Sequence, residues 1–241
     1  MDAAGNPVIA YYRSGTQIFS TGTLRVMHCN DPDCAGGDES TTSPEPATGV
    51  TPSLQLDASG NPVIAYYTGA STRDLKVMHC DDANCAGSNE SITTPDSAGD
   101  VGSQPSLALR GGNPIVSYRD ADSGDLKLLS CNDPNCAPGN DTVVRLDAAL
   151  NSGENSSVVL DGSGRPVIAY DAGADLRLLR CGDADCAESV GGLSELAPGI
   201  ADTDATFPLL WWLIASVLGL VAATSAGLFA HHRLTRHPTH R

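Results

Sequence analysis

Two blocks of sequence recur four times within the first 200 residues, and this repetition constrains the fold more than any other feature of the chain. The first block reads DAAGNPVIAYY, DASGNPVIAYY, RGGNPIVSY and DGSGRPVIAY. The second reads TLRVMHCNDPDC, DLKVMHCDDANC, DLKLLSCNDPNC and DLRLLRCGDADC, and its first cysteines are spaced by 51, 51 and 50 residues. A constant period of this length predicts similar structural units that stack on one another.

Each unit contains four short segments that favour the extended conformation. Pro105–Leu109, Val63–Tyr67, Leu75–Cys80 and Ser91–Thr94 illustrate the four in order. The second is apolar on both alternating faces, which predicts a layer above it and a layer below it. Four antiparallel strands per repeat are typical of a β-propeller blade. We therefore predict an all-β, β-propeller-like array of about four four-stranded repeats, with an open β-solenoid or a stack of small sheets as the alternative.

The two blocks, GNPV-S/A-YY and DLK-x3-C-x4-C, resemble tandem repeats of predicted bacterial cell-surface β-propellers. The resemblance spans about residues 1–197 and implies a surface propeller, but no activity, since this fold hosts enzymes and binding modules alike. Met1 stands where the second and fourth copies have Leu56 and Leu160. We therefore expect the first repeat to be incomplete, with further units upstream or a missing strand supplied late in the chain. The predicted boundaries are about 1–50, 51–103, 104–155 and 156–197 for the repeats, 198–206 for a linker, 207–230 for an apolar segment and 231–241 for a basic tail.

All eight cysteines belong to Cys-x4-Cys pairs. In a domain outside the cytoplasm, an even number of regularly spaced cysteines predicts disulfides. Zinc usually takes four ligands, and redox dithiols usually have two intervening residues, so both alternatives fit this spacing less well. His28 and His79 precede the first cysteine in only two of the four units, so we interpret them as ordinary strand residues. The predicted disulfides are Cys29–Cys34, Cys80–Cys85, Cys131–Cys136 and Cys181–Cys186.

The loops between the paired cysteines are rich in Asp and Asn. Oxygen ligands of this kind suit calcium, although the twelve-residue loop with a terminal glutamate is missing. Asp and Asn also favour turns, and we prefer that interpretation to a calcium site. No other cofactor is predicted. The candidate calcium ligands are Asp31, Asp33, Asp81, Asp82, Asp133, Asp183 and Asp185.

The segment 207–230 contains 24 residues without a charge and predicts a single transmembrane α-helix. Trp211 and Trp212 would lie near one headgroup zone, while Arg233 and Arg236 follow the segment and place the tail in the cytoplasm. We thus predict a single-pass protein of the cell membrane with its repeats outside. The Leu-Pro-x-Thr-Gly sorting motif is absent from the sequence. Small residues on one helix face lead to the hypothesis of homodimerisation through the membrane, but Ala and Gly are common in such helices, and we prefer that interpretation; they are Ala215, Gly219, Ala223 and Gly227.

The charge of the chain limits its partners. The formal net charge is −15, and all 29 acidic residues precede the apolar segment. The acidic repeats should therefore repel phosphate backbones, and we expect no nucleic acid as a partner. Common catalytic motifs are absent, which favours a non-catalytic binding or adhesion module for an extracellular protein or glycan.

Two other functions stay open. A propeller-type glycosidase or lyase would use paired carboxylates, for which Glu154, Glu188 and Glu195 are the candidates. A spacer for an upstream domain is the third hypothesis. The arginines form no recognisable set in the sequence; they include Arg110, Arg119, Arg145, Arg165 and Arg180.

Overall fold

The computed structural model describes residues 1–14, 22–46, 48–69, 72–148 and 151–187, together with the backbone of 193–195. Regular secondary structure in these ranges is β-strand, and they contain no helix with the length and apolar character needed to span a membrane. Met1–Leu196 forms one compact unit. The linker, membrane segment and tail predicted for 198–241 lie outside the described residues, as does Glu188.

The strands form one three-stranded and three four-stranded antiparallel sheets, which we number 1 to 4 in chain order. Neighbours in sequence are neighbours in each sheet, so every sheet corresponds to one sequence repeat. This confirms the prediction of an all-β chain of repeated sheets. Sheet 1 contains β1 (Val8–Arg13), β2 (Thr23–His28) and β3 (Ser40–Thr42); sheet 2 contains β4 (Val50–Leu56), β5 (Pro62–Tyr67), β6 (Leu75–His79) and β7 (Ser91–Asp96); sheet 3 contains β8 (Val101–Arg110), β9 (Asn113–Asp120), β10 (Asp125–Ser130) and β11 (Thr142–Asp147); sheet 4 contains β12 (Ser152–Leu160), β13 (Pro166–Ala172), β14 (Asp175–Arg180) and β15 (Leu193–Glu195).

The sheets stack in chain order, and the second strand of an inner sheet is buried on both faces. In β5, Val63 packs into the apolar cluster shared with sheet 3, while Ile64 packs into the cluster shared with sheet 1. Both side chains are 0% exposed. Val63–Tyr67 therefore does not alternate between polar and apolar residues because, as predicted, a sheet packs on each side of the strand.

A glycine near the start of the first strand brings successive sheets close together. Gly102, which has a φ of 90°, lies against Leu75 of sheet 2, where an added Cβ would come within 2.6 Å of the Leu75 Cα. Gly49 and Gly153 occupy the equivalent positions against Leu24 and Leu126. Each junction therefore combines a backbone conformation that favours glycine with a packing distance that excludes a side chain.

The four predicted cysteine pairs are disulfide-bonded in the structure. The second cysteine of every pair has a left-handed backbone, with φ between 48° and 54°. An aspartate two residues after the first cysteine accepts hydrogen bonds from the backbone of its own loop. Asp31 Oδ1, for example, accepts from the amides of Asp33 at 2.9 Å and Ala35 at 3.2 Å. The loops are thus compact turns fixed by one disulfide and one carboxylate.

Polar bridges connect the cysteine loops of sheets 2, 3 and 4 to the preceding sheet. His79 Nδ1 lies 2.8 Å from Asn135 Oδ1 of sheet 3, and its Nε2 lies 3.0 Å from Asp57 Oδ2. His28 makes the equivalent contacts with Asn84 and Asp2. These two histidines are therefore more than ordinary strand residues, because they join adjacent sheets. We call these contacts the inter-sheet bridges.

The bridge between sheets 3 and 4 uses different side chains. Arg110, the last residue of β8, occupies the position of Asp57 in the repeat and donates to Asp185 Oδ1 at 2.8 Å. Asp185 stands where the loops of sheets 2 and 3 have Asn84 and Asn135, while Ser130 replaces the histidine. A charged Arg–Asp pair thus takes the place of the His–Asn contact.

Candidate functional site

Three polar clusters recur at the junctions between sheets. In each, a tyrosine of the second strand donates to a carboxylate at the end of the preceding sheet, and a lysine or arginine of the third strand contacts the same carboxylate. Such repetition indicates a role in the scaffold, because all three junctions contain it. The clusters are Tyr66, Glu45 and Lys76; Tyr118, Asp96 and Lys127; and Tyr170, Asp147 and Arg177.

The middle cluster shows how these groups share charge. Tyr118 Oη donates to Asp96 Oδ2 at 2.6 Å, and Lys127 Nζ lies 2.9 Å from Asp96 and 3.3 Å from Asp120. The pKa of Tyr118 lies far above its usual value, mainly because the phenol is buried and secondly because Asp96 lies beside it. Burial would raise the pKa of Asp96, but the hydrogen bonds from Tyr118 and Lys127 outweigh it and lower that pKa. The tyrosine therefore stays neutral and the carboxylate charged, as in a structural contact.

The repeats differ at the residue that follows this tyrosine. Tyr67, Arg119 and Asp171 occupy that position in sheets 2, 3 and 4, at the carboxyl end of the second strand. Tyr67 donates to Asp100 Oδ1 at 2.7 Å, and burial together with Asp100 raises the pKa of Tyr67 to about 12. Unlike the tyrosine before it, this position varies between the repeats, and such asymmetry is expected of a functional site.

Around Arg119 and Asp171 lies a group of polar residues that we call the divergent edge: Gln104, Arg119, Glu154, Asn155 and Asp171. Gln104 and Asn155 have left-handed φ values of 51° and 49°, at irregularities in the pairing of β8 and β12. Bulges of this kind redirect side chains and are frequent near functional sites. The bulges therefore determine where the carboxylate and amide groups of the edge point.

Glu154 and Asp171 lie directly opposite each other on β12 and β13. Opposite residues in antiparallel strands have Cβ atoms roughly 4.5–5.5 Å apart. Arg119 Nη1 lies 3.4 Å from Glu154 Oε1, and the Asn155 side chain donates to Asp171 Oδ2 at 2.8 Å. The Gln104 side chain accepts from the Asn155 amide at 2.9 Å. Two carboxylates, one guanidinium and two amides are thus brought together.

The edge is open to solvent on its acidic side. The Glu154 side chain is 44% exposed, whereas that of Arg119 is 20% exposed. Within the described ranges, the buried Nε of Arg119 has no hydrogen-bond partner. Arg119 is therefore held largely within the protein, while Glu154 can contact a ligand.

Only part of this group was predicted from the sequence. Of the three candidate glutamates, Glu154 belongs to the divergent edge, whereas Glu188 and the side chain of Glu195 lie outside the described residues. The arginines are dispersed, and Arg119 alone of the five named above contacts the edge. Asp171 was missed, although one signal could have revealed it: the position after the repeated tyrosine differs in every complete repeat.

Several of the candidate calcium ligands have other contacts in the structure. Asp82, Asp133 and Asp183 accept backbone hydrogen bonds as Asp31 does, and Asp185 binds Arg110. Their arrangement agrees with the preferred turn interpretation, and calcium binding stays an untested prediction. Asp141 and the sulfurs of one cysteine pair lie within 4.8 Å of one another, but the disulfide between Cys131 and Cys136 leaves no thiolate there to bind a metal.

No protein-family model matches this chain, and no curated protein matches it either. Among solved structures, a thermostable family-43 glycoside hydrolase is similar in fold, with a TM-score of 0.51 and 13% identity over 82% of this chain and 74% of that one. The catalytic domain of a GH62 α-L-arabinofuranosidase from Coprinopsis cinerea has a TM-score of 0.49 and 18% identity, over 80% of this chain and 68% of that chain. The NanB sialidase of Streptococcus pneumoniae has a TM-score of 0.47 and 13% identity, over 77% and 34%. The chain is therefore a repeated all-β protein whose fold is similar to that of a family-43 glycoside hydrolase.

Proposed function

We propose that this protein is a β-propeller-like module outside the cytoplasm that binds a carbohydrate at the divergent edge. The observation that carries the proposal is the juxtaposition of Glu154 with Arg119 and Asp171, two residues that occupy a strand position at which the repeats differ. Carboxylates and amide oxygens accept hydrogen bonds from sugar hydroxyls, while guanidinium and amide groups donate to them. The similarity in fold to a glycoside hydrolase supports a sugar as the ligand.

The cellular setting is part of the proposal. Four disulfides favour an oxidising compartment, which agrees with repeats on the outer side of a membrane. The uncharged segment 207–230 would anchor the chain, with the basic tail in the cytoplasm. Adhesion to a glycan-coated surface would then be the biological consequence of binding.

Hydrolysis of a glycosidic bond is a second candidate function, favoured by the Glu154–Asp171 pair. Glycosidases that retain anomeric configuration place two carboxyl groups about 5–5.5 Å apart, one as acid and one as nucleophile. The direct cross-strand pairing of Glu154 and Asp171 is compatible with that separation. One of these two carboxyl groups would then act as the acid and the other as the nucleophile.

A glycan array probed with the full chain in detergent tests binding. We expect Arg119→Met and Asp171→Asn each to weaken glycan binding about tenfold or more, because each removes a charge-assisted hydrogen bond. Arg145→Met is the matched control, since Arg145 is 61% exposed and pairs with Asp125 away from the edge. Absence of binding to every glycan by correctly folded protein would refute the proposal.

A panel of chromogenic glycosides separates binding from catalysis. If the edge is catalytic, Glu154→Gln abolishes turnover while the protein still binds its glycan. If the wild-type protein binds a glycan but releases no product from any glycoside in the panel, hydrolysis is rejected and binding alone is retained.

A further inference from the structure

One leucine position distinguishes sheet 4 from the other three sheets. Leu24, Leu75 and Leu126 occupy it in sheets 1 to 3, and each is 0% exposed because the next sheet covers it. In sheet 4 the same position is Leu176, which is 51% exposed. Leu176 thus lies on a surface whose counterparts are all sheet-to-sheet junctions.

The rest of this surface has the same composition as a junction. Val167, Ala169 and Leu178 are half-buried, whereas their counterparts in sheet 2 are fully buried at 0%. Val159, adjacent to Val167 across the strands, is 58% exposed. We call this surface the outer face of sheet 4. A contiguous exposed apolar face of this kind indicates an interaction site.

Sheet 1 presents the complementary type of surface. Ile9 is 39% exposed, and Tyr11 and Met27 are half-buried. Their counterparts in sheet 2 are Ile64, Tyr66 and Met78, which are 0% exposed and pack against the preceding sheet. The outer face of sheet 4 and the exposed face of sheet 1 therefore carry the same repeat positions that pack against each other at every internal junction.

The inter-sheet bridges supply a charge argument for this pairing. Where the donor is histidine the acceptor is asparagine, and where the donor is Arg110 the acceptor is Asp185. Arg180 occupies the histidine position in sheet 4, and Asp33 occupies the acceptor position in the first cysteine loop. Both are exposed. This terminal pair is again an arginine and an aspartate, with the arginine at the histidine position rather than at the position of Arg110.

We propose that the outer face of sheet 4 binds sheet 1 of a second copy of this chain, head to tail, with Arg180 contacting Asp33 of that copy. Such a contact joins two different surfaces, so it builds rings or open chains of copies. Sheet 1 has three strands in the described part of the chain, one fewer than an inner sheet. The interface is therefore smaller than an internal junction, and association is concentration-dependent. Asp171 lies opposite Leu176, so the second copy would border the divergent edge.

Sedimentation velocity of the full chain in detergent, over a range of concentrations, tests this proposal. We expect Leu176→Glu to raise the dissociation constant for self-association about tenfold or more, because it places a charge in an apolar interface. Val143→Glu is the matched control: Val143 is 40% exposed but lies on β11 of an inner sheet, and its replacement leaves association unchanged. Thermal unfolding should be similar for both variants, since both sites are exposed.

Charge reversal identifies the two surfaces that meet. Arg180→Glu and Asp33→Lys each weaken self-association, whereas an equimolar mixture of the two variants recovers it, because the altered residues attract each other across the contact. Sedimentation as one monomeric species at every concentration would overturn the proposal. Association that is insensitive to Leu176→Glu but lost in Gly219→Leu would also overturn it, by assigning self-association to the segment 207–230. These readouts do not depend on glycan binding, so this proposal and the proposed function can fail separately.

Discussion

Replacement of Gly102 by alanine tests whether close contact between sheets stabilises the array. Two costs are expected. The φ of 90° is unfavourable for any residue with a Cβ, by about 1–3 kcal/mol. The new Cβ would also lie 2.6 Å from the Leu75 Cα, so the sheets must separate, at a further cost of about 1–3 kcal/mol. We therefore expect Gly102→Ala to lower the free energy of unfolding by about 2–6 kcal/mol in total.

Gly112→Ala separates these two costs. Gly112 has a similar φ of 96°, but nothing lies within 4 Å of the position where its Cβ would be. The control variant should therefore show the backbone cost alone. In thermal unfolding followed by circular dichroism, we expect Gly102→Ala to melt about 2–12 °C below Gly112→Ala, given about 2–4 °C per kcal/mol for a chain of this size. Equal melting temperatures for the two variants would refute the packing argument.

Three further perturbations test the polar contacts and the disulfides. Lys127→Met should lower the free energy of unfolding in urea by about 3 kcal/mol, because it leaves the buried Asp96 without its cation. Arg145→Met, at an exposed ion pair, should lower it by less than about 1 kcal/mol. The pKa of Asp2 is lowered to about 2, chiefly by the hydrogen bond from His28 and then by hydrogen bonds from backbone amides. The ionised carboxylate therefore stabilises the fold above pH 4, and this contribution is lost as the pH falls from about 4 towards 2. An NMR titration of Asp2 should give a higher midpoint in His28→Ala than in the wild-type protein, because the backbone amides of Ala4 and Asn6 still donate to Asp2 but the histidine does not. Removal of any one disulfide by paired Cys→Ser substitution should lower stability by about 2–3 kcal/mol in the same urea assay, and an unchanged midpoint would contradict a structural role.

The strands were predictable from the sequence, whereas the contacts between sheets were not. Val63–Tyr67 could be assigned because a strand between two sheets is apolar on both faces, and that pattern is visible locally. The bridge between His79 and Asn135 joins residues 56 positions apart, and no local pattern reveals such a pair. The cysteine pairs could be predicted because each lies within one loop and the compartment favours oxidation.

The divergent edge depends on geometry that the sequence leaves open. Glu154 lies opposite Asp171 because β12 contains irregularities on both sides of Glu154, and one residue more or less would turn the side chain to the other face. Asn155 adopts a left-handed backbone there, which Asn tolerates better than most residues. The residue types could therefore be named in advance, but their proximity could not.

The coordinated change at the third bridge suggests why the repeats are not identical. Arg110, Ser130 and Asp185 differ together from the residues used at the other bridges, and among the described residues the buried Ser130 Oγ has no hydrogen-bond partner. A sheet with Arg110 placed next to a loop with asparagine would lose an ionic contact, and a histidine next to Asp185 would gain one only when protonated. Each donor therefore favours its own acceptor, which discriminates against sheets stacking in the wrong order. Arg180 stands at the histidine position rather than at that of Arg110, but its guanidinium likewise favours a loop with aspartate, and in this chain the loop of sheet 1 with Asp33 offers one.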